Sequence, residues 1–215
     1  MSSKQRVVIK DKLKIKKWYE TIAPQAFGGI SLGTIPADDP NKLIGRVIET
    51  TLYDITGDIS QVHVKLYFQI IEIDGDKALT RFKGHELARD YMRSLVRRKS
   101  SKIQGIFDVQ TKDGYVLRVT IIALTSYRCK TSQKKAIRRV MKEYIMKKAS
   151  ELSLDDFIQN ILNYKIPAEI AELARKIYPI RRVEIYKTKL IMIPTPDGPK
   201  PAAVLSPLQL KTEKE

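Results

Sequence analysis

Acidic side chains are nearly missing from the part of this sequence where cations are densest. Residues 81–150 hold nineteen lysines and arginines against five aspartates and glutamates. Other absences narrow the chemistry. The 215-residue chain has one cysteine and two histidines. Cys129 alone excludes an internal disulfide framework and fits a reducing, cytoplasmic compartment. One cysteine with His63 and His85 offers no spaced ligand set for zinc, so no metal site is expected. Neither histidine carries the sequence signature of a base beside a nucleophile, and no glycine-rich phosphate loop of the nucleotide-hydrolase kind occurs. The carboxylate pairs Asp38-Asp39 and Asp155-Asp156 read as a loop and a helix start, where acids complement the helix dipole. A nuclease needs clustered carboxylates for its metal ions, and the basic block has almost none. No apolar run approaches the ~20 residues of a membrane helix. Lysines also interrupt the opening "MSSKQRVVIKDKLKIKKWYE", so neither a signal peptide nor a membrane partner is expected. The sequence therefore predicts a protein that is not an enzyme and takes no cofactor.

What is present is segregated charge. The net charge of +16 divides into +5 over residues 1–20, −4 over 21–80, +14 over 81–150 and +1 over 151–215. Solubility does not require such clustering, whereas a polyanionic partner does. Two helical patterns carry the excess. Residues 86–98 place Leu87, Ala88, Tyr91, Met92, Leu95 and Val96 on one stripe, with Arg89, Arg93 and Arg97 opposite. Like charges four apart on a helix cost roughly 0.2–0.5 kcal/mol per pair. Glu86 and Asp90 can each pair with one arginine of this helix, but Arg97, Arg98, Lys99 and Lys102 have no acid nearby in the sequence. Residues 132–149 repeat the design. Ile137, Val140, Met141, Tyr144 and Ile145 form the apolar face, and Lys135, Arg138, Arg139 and Lys142 the basic one. Arg128, Lys130 and Lys134 lead into it. Phosphates would relieve the repulsion, and the planar fork of arginine suits them. The N-terminal arm adds Lys12, Lys14, Lys16 and Lys17 as phosphate contacts, while Trp18 and Tyr19 are expected to anchor it to the core.

The remaining pattern is strand. In "VHVKLYFQI", residues 62–70, apolar and polar side chains alternate with a period of two. Asp74-Gly75 and Asp113-Gly114 supply hairpin turns. Further strands are expected at 45–55, 78–84 and 181–193, and weaker helices at "LDDFIQNILNY" and "PAEIAELARKIY". Strands joined by tight hairpins, without strand–helix alternation, predict an α+β fold: an antiparallel barrel or sandwich flanked by helices. The expected organisation is a basic arm over 1–16, one folded domain over 17–193, and a proline-rich tail over 194–215, extended or disordered.

Six segments carry a family resemblance: "KKWYETIAP", "GRVIETTLYDI", "TRFKGHELARDYMRSLVRR", "DVQTKDGYVLRV", "TSQKKAIRRVMKEY" and "ARKIYPIRRVEI". In this order they resemble a small-subunit ribosomal protein family of archaea and eukaryotes, called S-three-a-e or e-S-one, over about residues 16–193. The length, without long extensions, is similar to the archaeal form. The resemblance implies an antiparallel β-barrel flanked by helices and a structural role in translation. Its implied partners are small-subunit rRNA at the platform near the 3′ end, neighbouring small-subunit proteins, and mRNA near its exit. The competing expectations are a free mRNA- or tRNA-binding regulator and a protein–protein scaffold using the acidic segment 21–80.

Overall fold

In the computed structural model, residues 16–195 and 198–202 are described. Strands β1 (Lys17–Ile22) and β2 (Ser31–Ala37) form a hairpin, followed by β3 (Val47–Thr51) and a short helix α1 (Leu52–Thr56). The long hairpin β4 (Val64–Asp74) and β5 (Lys77–Leu87) comes next, then helix α2 (Arg89–Leu95). A second long hairpin joins β6 (Lys102–Gln110) to β7 (Val116–Thr125). Three helices follow: α3 (Thr131–Glu151), α4 (Leu154–Leu162) and α5 (Lys165–Arg175). The chain closes with β8 (Ile180–Ile193) and β9 (Lys200–Pro201).

All nine strands belong to one sheet, and β5 organises it. Along one side β5 pairs with β4, whose other edge carries β3. Its other side is shared: Lys77–Leu79 runs parallel to β1, while Gly84–Glu86 runs antiparallel to β8. Beyond β8 lie β7 and β6. Among the described residues no pairing returns from β6 to β2 or β3, so the sheet is open and branched rather than the expected closed barrel, and the β1–β5 pair is parallel. The two aspartyl-glycine hairpins stand as expected, with Gly75 and Gly114 at φ +58° and +82°; each turn requires the left-handed conformation that glycine accepts freely.

Local chemistry explains the helices. On α4, Leu154, Phe157, Ile158 and Ile161 are buried at i, i+3, i+4 and i+7. The Ser153 hydroxyl caps the helix by accepting from the Asp156 amide at 3.2 Å. The apolar stripe of α3 faces β6 through Ile137, Met141, Ile145 and Ala149, all buried. Pro167 stands in the first turn of α5, where its missing N–H costs nothing.

Three expected elements differ. The strand over 45–55 ends at Thr51, whose hydroxyl accepts from the Asp54 amide while Asp54 accepts from the Thr51 amide, so α1 starts there. The helix over 86–98 shrinks to Arg89–Leu95 because Glu86 and Leu87 complete β5. Trp18 and Tyr19 cannot both face inward on one strand: Tyr19 is buried and Trp18 is 61% exposed. At the C-terminus, Met192–Ile193 pairs with Lys200–Pro201 and Ala202 is buried, so part of the expected loose tail returns to the sheet. Residues 203–215 lie outside the described residues, as do 1–15 of the arm.

Where β5 crosses β8, His85 is buried at 2% exposure. Its Nε2 lies 3.1 Å from the Ile185 carbonyl oxygen, which can only accept, so Nε2 carries the proton. Nδ1 then accepts from the Thr188 hydroxyl at 2.7 Å. The neutral ring is fully satisfied, and burial pushes its pKa down to about 4. An unfolded histidine takes up its proton near pH 6.5, so the unfolded state binds more protons between these values. Stability is therefore expected to be complete above about pH 6.5 and to fall by up to about 3 kcal/mol through this group as pH drops toward 4. Urea unfolding across that range should show this slope, and His85→Gln should flatten it. An equal slope in both proteins would exclude His85 as its source.

Candidate nucleic-acid interface

The strand register gathers one set of loops at one end of the sheet. Lys102 at the start of β6 pairs with Leu124 near the end of β7, and Leu124 pairs with Arg182 near the start of β8. The loop after α2 enters this end, carrying Arg97, Arg98 and Lys99; the loop before α3 carries Tyr127, Arg128 and Lys130. Side-chain hydrogen bonds lock the loops together. The Ser101 amide donates to Thr125 Oγ1 at 2.9 Å, and the Cys129 amide donates to Ser101 Oγ at 3.3 Å. The Thr125 hydroxyl sits within reach of both the Ser101 and Tyr127 carbonyls, at 3.2 and 2.6 Å. The Tyr178 hydroxyl holds the Arg128 carbonyl at 2.9 Å. Arg181 donates to the carbonyl of Leu95, tying the end of α2 to β8.

From this end α3 carries the charge onward along β6. The Arg138 Nε donates to the Gln104 carbonyl at 3.0 Å, fixing the helix to its strand. Beside it Lys135, Arg138, Arg139 and Lys142 rim a groove of about 490 Å³ whose lining also includes Phe107, Met146 and Glu143. Lys130 to Lys142 spans twelve residues, or about 18 Å of helix.

The expected sites divide accordingly. Arg97, Arg98, Lys99, Lys102, Arg128, Lys130, Lys134, Lys135, Arg138, Arg139 and Lys142 come together. Arg89 and Arg93 are exposed on α2 close by, but they rim a cleft that also contains Glu49, Glu86 and Asp90. Arg97 lies beyond the helix, so the three-arginine helical row does not form. Glu86 pairs with Lys187 at 2.8 Å rather than with an α2 arginine. Lys16 and Lys17 stand at the opposite end, because β1 runs parallel to β5 and precedes its start. Lys12 and Lys14 lie outside the described residues.

None of the fifteen described side chains in this set stands in an ion pair among the described residues. Six cations elsewhere do, among them Lys42 with Asp39, Lys65 with Glu49, Arg118 with Asp108, and Lys148 with Glu151 and Glu169, while others such as Lys77, Lys165 and Lys176 stand singly among the described residues and are not gathered on one surface. Asp108 holds the Arg118 guanidinium pKa up, and Arg118 in turn lowers that of Asp108, so this pair is internally satisfied. Tyr127, 69% exposed between the cationic loops, was not singled out by the sequence reading. Its signal is an aromatic beside Arg128 and Lys130 with no apolar periodicity around it. A surface of unpaired cations with an exposed ring has the ingredients of phosphate neutralisation and base stacking.

The chain belongs to the Ribosomal S3Ae family, which it matches over residues 3–194. That is a family of ribosomal proteins and not of enzymes, in keeping with the sequence expectation. Along nearly its whole length the chain is similar to proteins named small ribosomal subunit protein eS1. One from Desulfurococcus amylolyticus is 81% identical, covering 99% of this chain and 100% of its own. One from Staphylothermus marinus is 68% identical over 98% and 99%, and one from Aeropyrum pernix 60% over 94% and 97%.

Paired and unpaired cations should respond differently to mutation. Arg97→Gln, Arg98→Gln and Arg139→Gln together are expected to change stability by no more than ~0.5 kcal/mol per site. RNA affinity should drop, with its salt slope shrinking by about one unit per phosphate lost. Arg118→Gln should leave RNA binding unchanged. Tyr127→Ala should weaken binding by ~1–3 kcal/mol without a shift in melting temperature. Salt-dependent fluorescence anisotropy on the four proteins checks this, and equal effects from Arg118 and the triple variant would contradict it.

Proposed function

We propose that this chain is a structural component of the small ribosomal subunit that holds rRNA through the cationic end of its sheet and the basic face of α3. One observation carries the RNA-contact part of this reading: the cationic end of the sheet and the basic face of α3 gather eleven cations, none of which stands in an ion pair among the described residues. Unpaired cations within a Debye length of ~8–10 Å repel one another, and a phosphate backbone is the partner that relieves a whole row at once. The names of the relatives support the ribosomal part, since a protein 81% identical end to end is called a small ribosomal subunit protein. Within the cytoplasmic ribosome, the location we propose is the platform near the rRNA 3′ end, among neighbouring small-subunit proteins and close to departing mRNA, a reading that the family resemblance supports.

The work is mechanical. Arginines and lysines on a rigid sheet end set the distance between phosphates, and Tyr127 supplies a face on which an unpaired base can rest. Sucrose-gradient sedimentation of a cell extract should place nearly all the protein with small subunits and whole ribosomes at moderate salt. A predominantly free pool would instead favour an unattached RNA-binding regulator. With ~6–10 phosphates engaged, affinity of the isolated chain for RNA should fall ~10³–10⁵-fold between 50 and 200 mM salt. A flat salt dependence would show cations that are merely solvated.

A further inference from the structure

A cavity of about 200 Å³ lies where the segment before β4, the end of α4, the start of α5 and β8 meet. That is below the ~300–1,000 Å³ of drug-sized pockets and several times the ~30 Å³ share of one water. It has room for one flat ring system and not for a whole nucleotide. Its deeper wall is buried, with Ile185 and Glu184 at 3% and 6% exposure, while Gln61, Tyr164 and Arg182 reach solvent at its rim.

The chemistry of the wall is specific. Glu184 accepts from Arg182 Nε at 2.5 Å and from the Tyr91 hydroxyl at 3.1 Å, and both bonds land on Oε1. Oε2 has no hydrogen bond among the described residues. Burial raises the Glu184 carboxyl pKa, so the charged form gains more than usual from further donors. Flat faces surround it. His63 stacks on Tyr91 at 3.8 Å, and the Arg182 guanidinium lies 5.7 Å from the Tyr91 ring and 5.6 Å from the Tyr164 ring. Tyr164 is held in a left-handed conformation, φ +62°, and its hydroxyl donates to the Val183 carbonyl at 2.7 Å. A bulky residue takes that backbone region only when its surroundings impose it, and such positions concentrate at binding sites.

We propose that this cavity takes one unstacked guanine base of a bound RNA, its Watson–Crick edge on Glu184 and its ring against Tyr164, His63 and the Arg182 plane. Guanine is the base whose N1–H and N2–H donors stand side by side, so both can converge on the one open oxygen, Oε2; adenine and cytosine set a donor beside an acceptor, and uracil sets its one donor between acceptors, which the carboxylate repels. The position suits an RNA held as proposed above. Lys102, Leu124 and Arg182 lie in register on three adjacent strands, so the cavity rim is two strand spacings, about 10 Å, from the cationic edge. The inference rests on that RNA-binding reading and adds a base preference to it.

The test uses the full chain and fluorescent single-stranded uridine oligonucleotides in which one internal position is guanosine, inosine or adenosine, with binding read by anisotropy at fixed salt. Guanosine should bind about tenfold or more better than adenosine, with inosine, which lacks the N2 amino group, between them. Glu184→Gln should erase the order and leave all-uridine binding unchanged. If Glu184→Gln fails to melt cooperatively, Gln61→Trp at the solvent-reaching rim serves instead, and should abolish the guanosine preference by narrowing the entrance. Equal binding of guanosine and adenosine with a steep salt dependence would overturn the pocket alone. A guanosine preference surviving a folded variant would overturn it too. Absence of binding to every oligonucleotide would overturn the RNA-binding reading along with it.

Discussion

The two halves of the sheet are joined where β5 pairs with β8, and there Gly84 lies against the backbone of Thr188. A Cβ at position 84 would sit 2.2 Å from the Thr188 carbonyl oxygen, so no residue larger than glycine fits without parting the strands. Three residues of pairing are made there, and the neutral His85 ring seals them from beneath with its bonds to Thr188 and Ile185. This junction is where the strands of the β1–β4 side are hydrogen-bonded into those of the β6–β8 side, and the shared core packs across it. The junction also sets the direction of β8, whose start therefore faces α2. Had β8 met β5 one residue out of step, alternate side chains would have changed faces and His85 would have lost both partners.

The placement of charge follows from that geometry. Antiparallel strands β6, β7 and β8 bring the start of one beside the end of the next, so loops distant in sequence share one end. Arg97 and Lys130 are thirty-three residues apart, yet their loops are bridged through Ser101, Thr125 and Cys129. Exposed ion pairs contribute only about 0–1 kcal/mol each. Leaving these cations unpaired therefore costs the fold little individually, and the basic surface is compatible with a stable chain. Its collective field is another matter, because many like charges within a Debye length attract a polyanion strongly and at long range.

Sequence legibility tracked the range of the interactions. Helix α3 was visible within a turn of its true ends, since its period is local and Ile137, Met141 and Ile145 are as buried as their spacing implies. Both aspartyl-glycine hairpins were visible for the same reason. The end of β5 was not. Leu87 fits an apolar helical stripe as well as it fits a strand, and what decides for strand is pairing outside that stripe: Leu87 with Val64 on β4, and Glu86 with Lys187 on β8. Closure of the sheet was illegible too, because hairpin signals fix neighbouring strands and say nothing about distant edges. The basic residues were legible as types and as a block. Their partition was not, since only the folded chain shows Arg89 and Arg93 among carboxylates and Arg97 through Lys102 without them. Trp18 and Tyr19 carry a readable signal: adjacent strand residues face opposite ways, so one aromatic has to point outward.

The locked loops matter more than the number of cations on them. A flexible lysine-rich arm loses backbone freedom worth roughly 1–2 kcal/mol per residue when it settles on RNA. The loop carrying Arg97, Arg98 and Lys99 has met part of that cost on folding. The Ser100 hydroxyl donates to the Arg97 carbonyl at 2.6 Å, Lys99 is held left-handed at φ +61°, and Ser101 is bonded into the sheet end. A left-handed lysine is itself unfavourable by about 1–3 kcal/mol. The fold therefore spends stability to fix the direction in which three consecutive cations leave the chain. Fixed directions are what a surface needs if it is to match the spacing of phosphates on a structured RNA rather than merely attract any polyanion, and rigidity set in advance is what turns attraction into register.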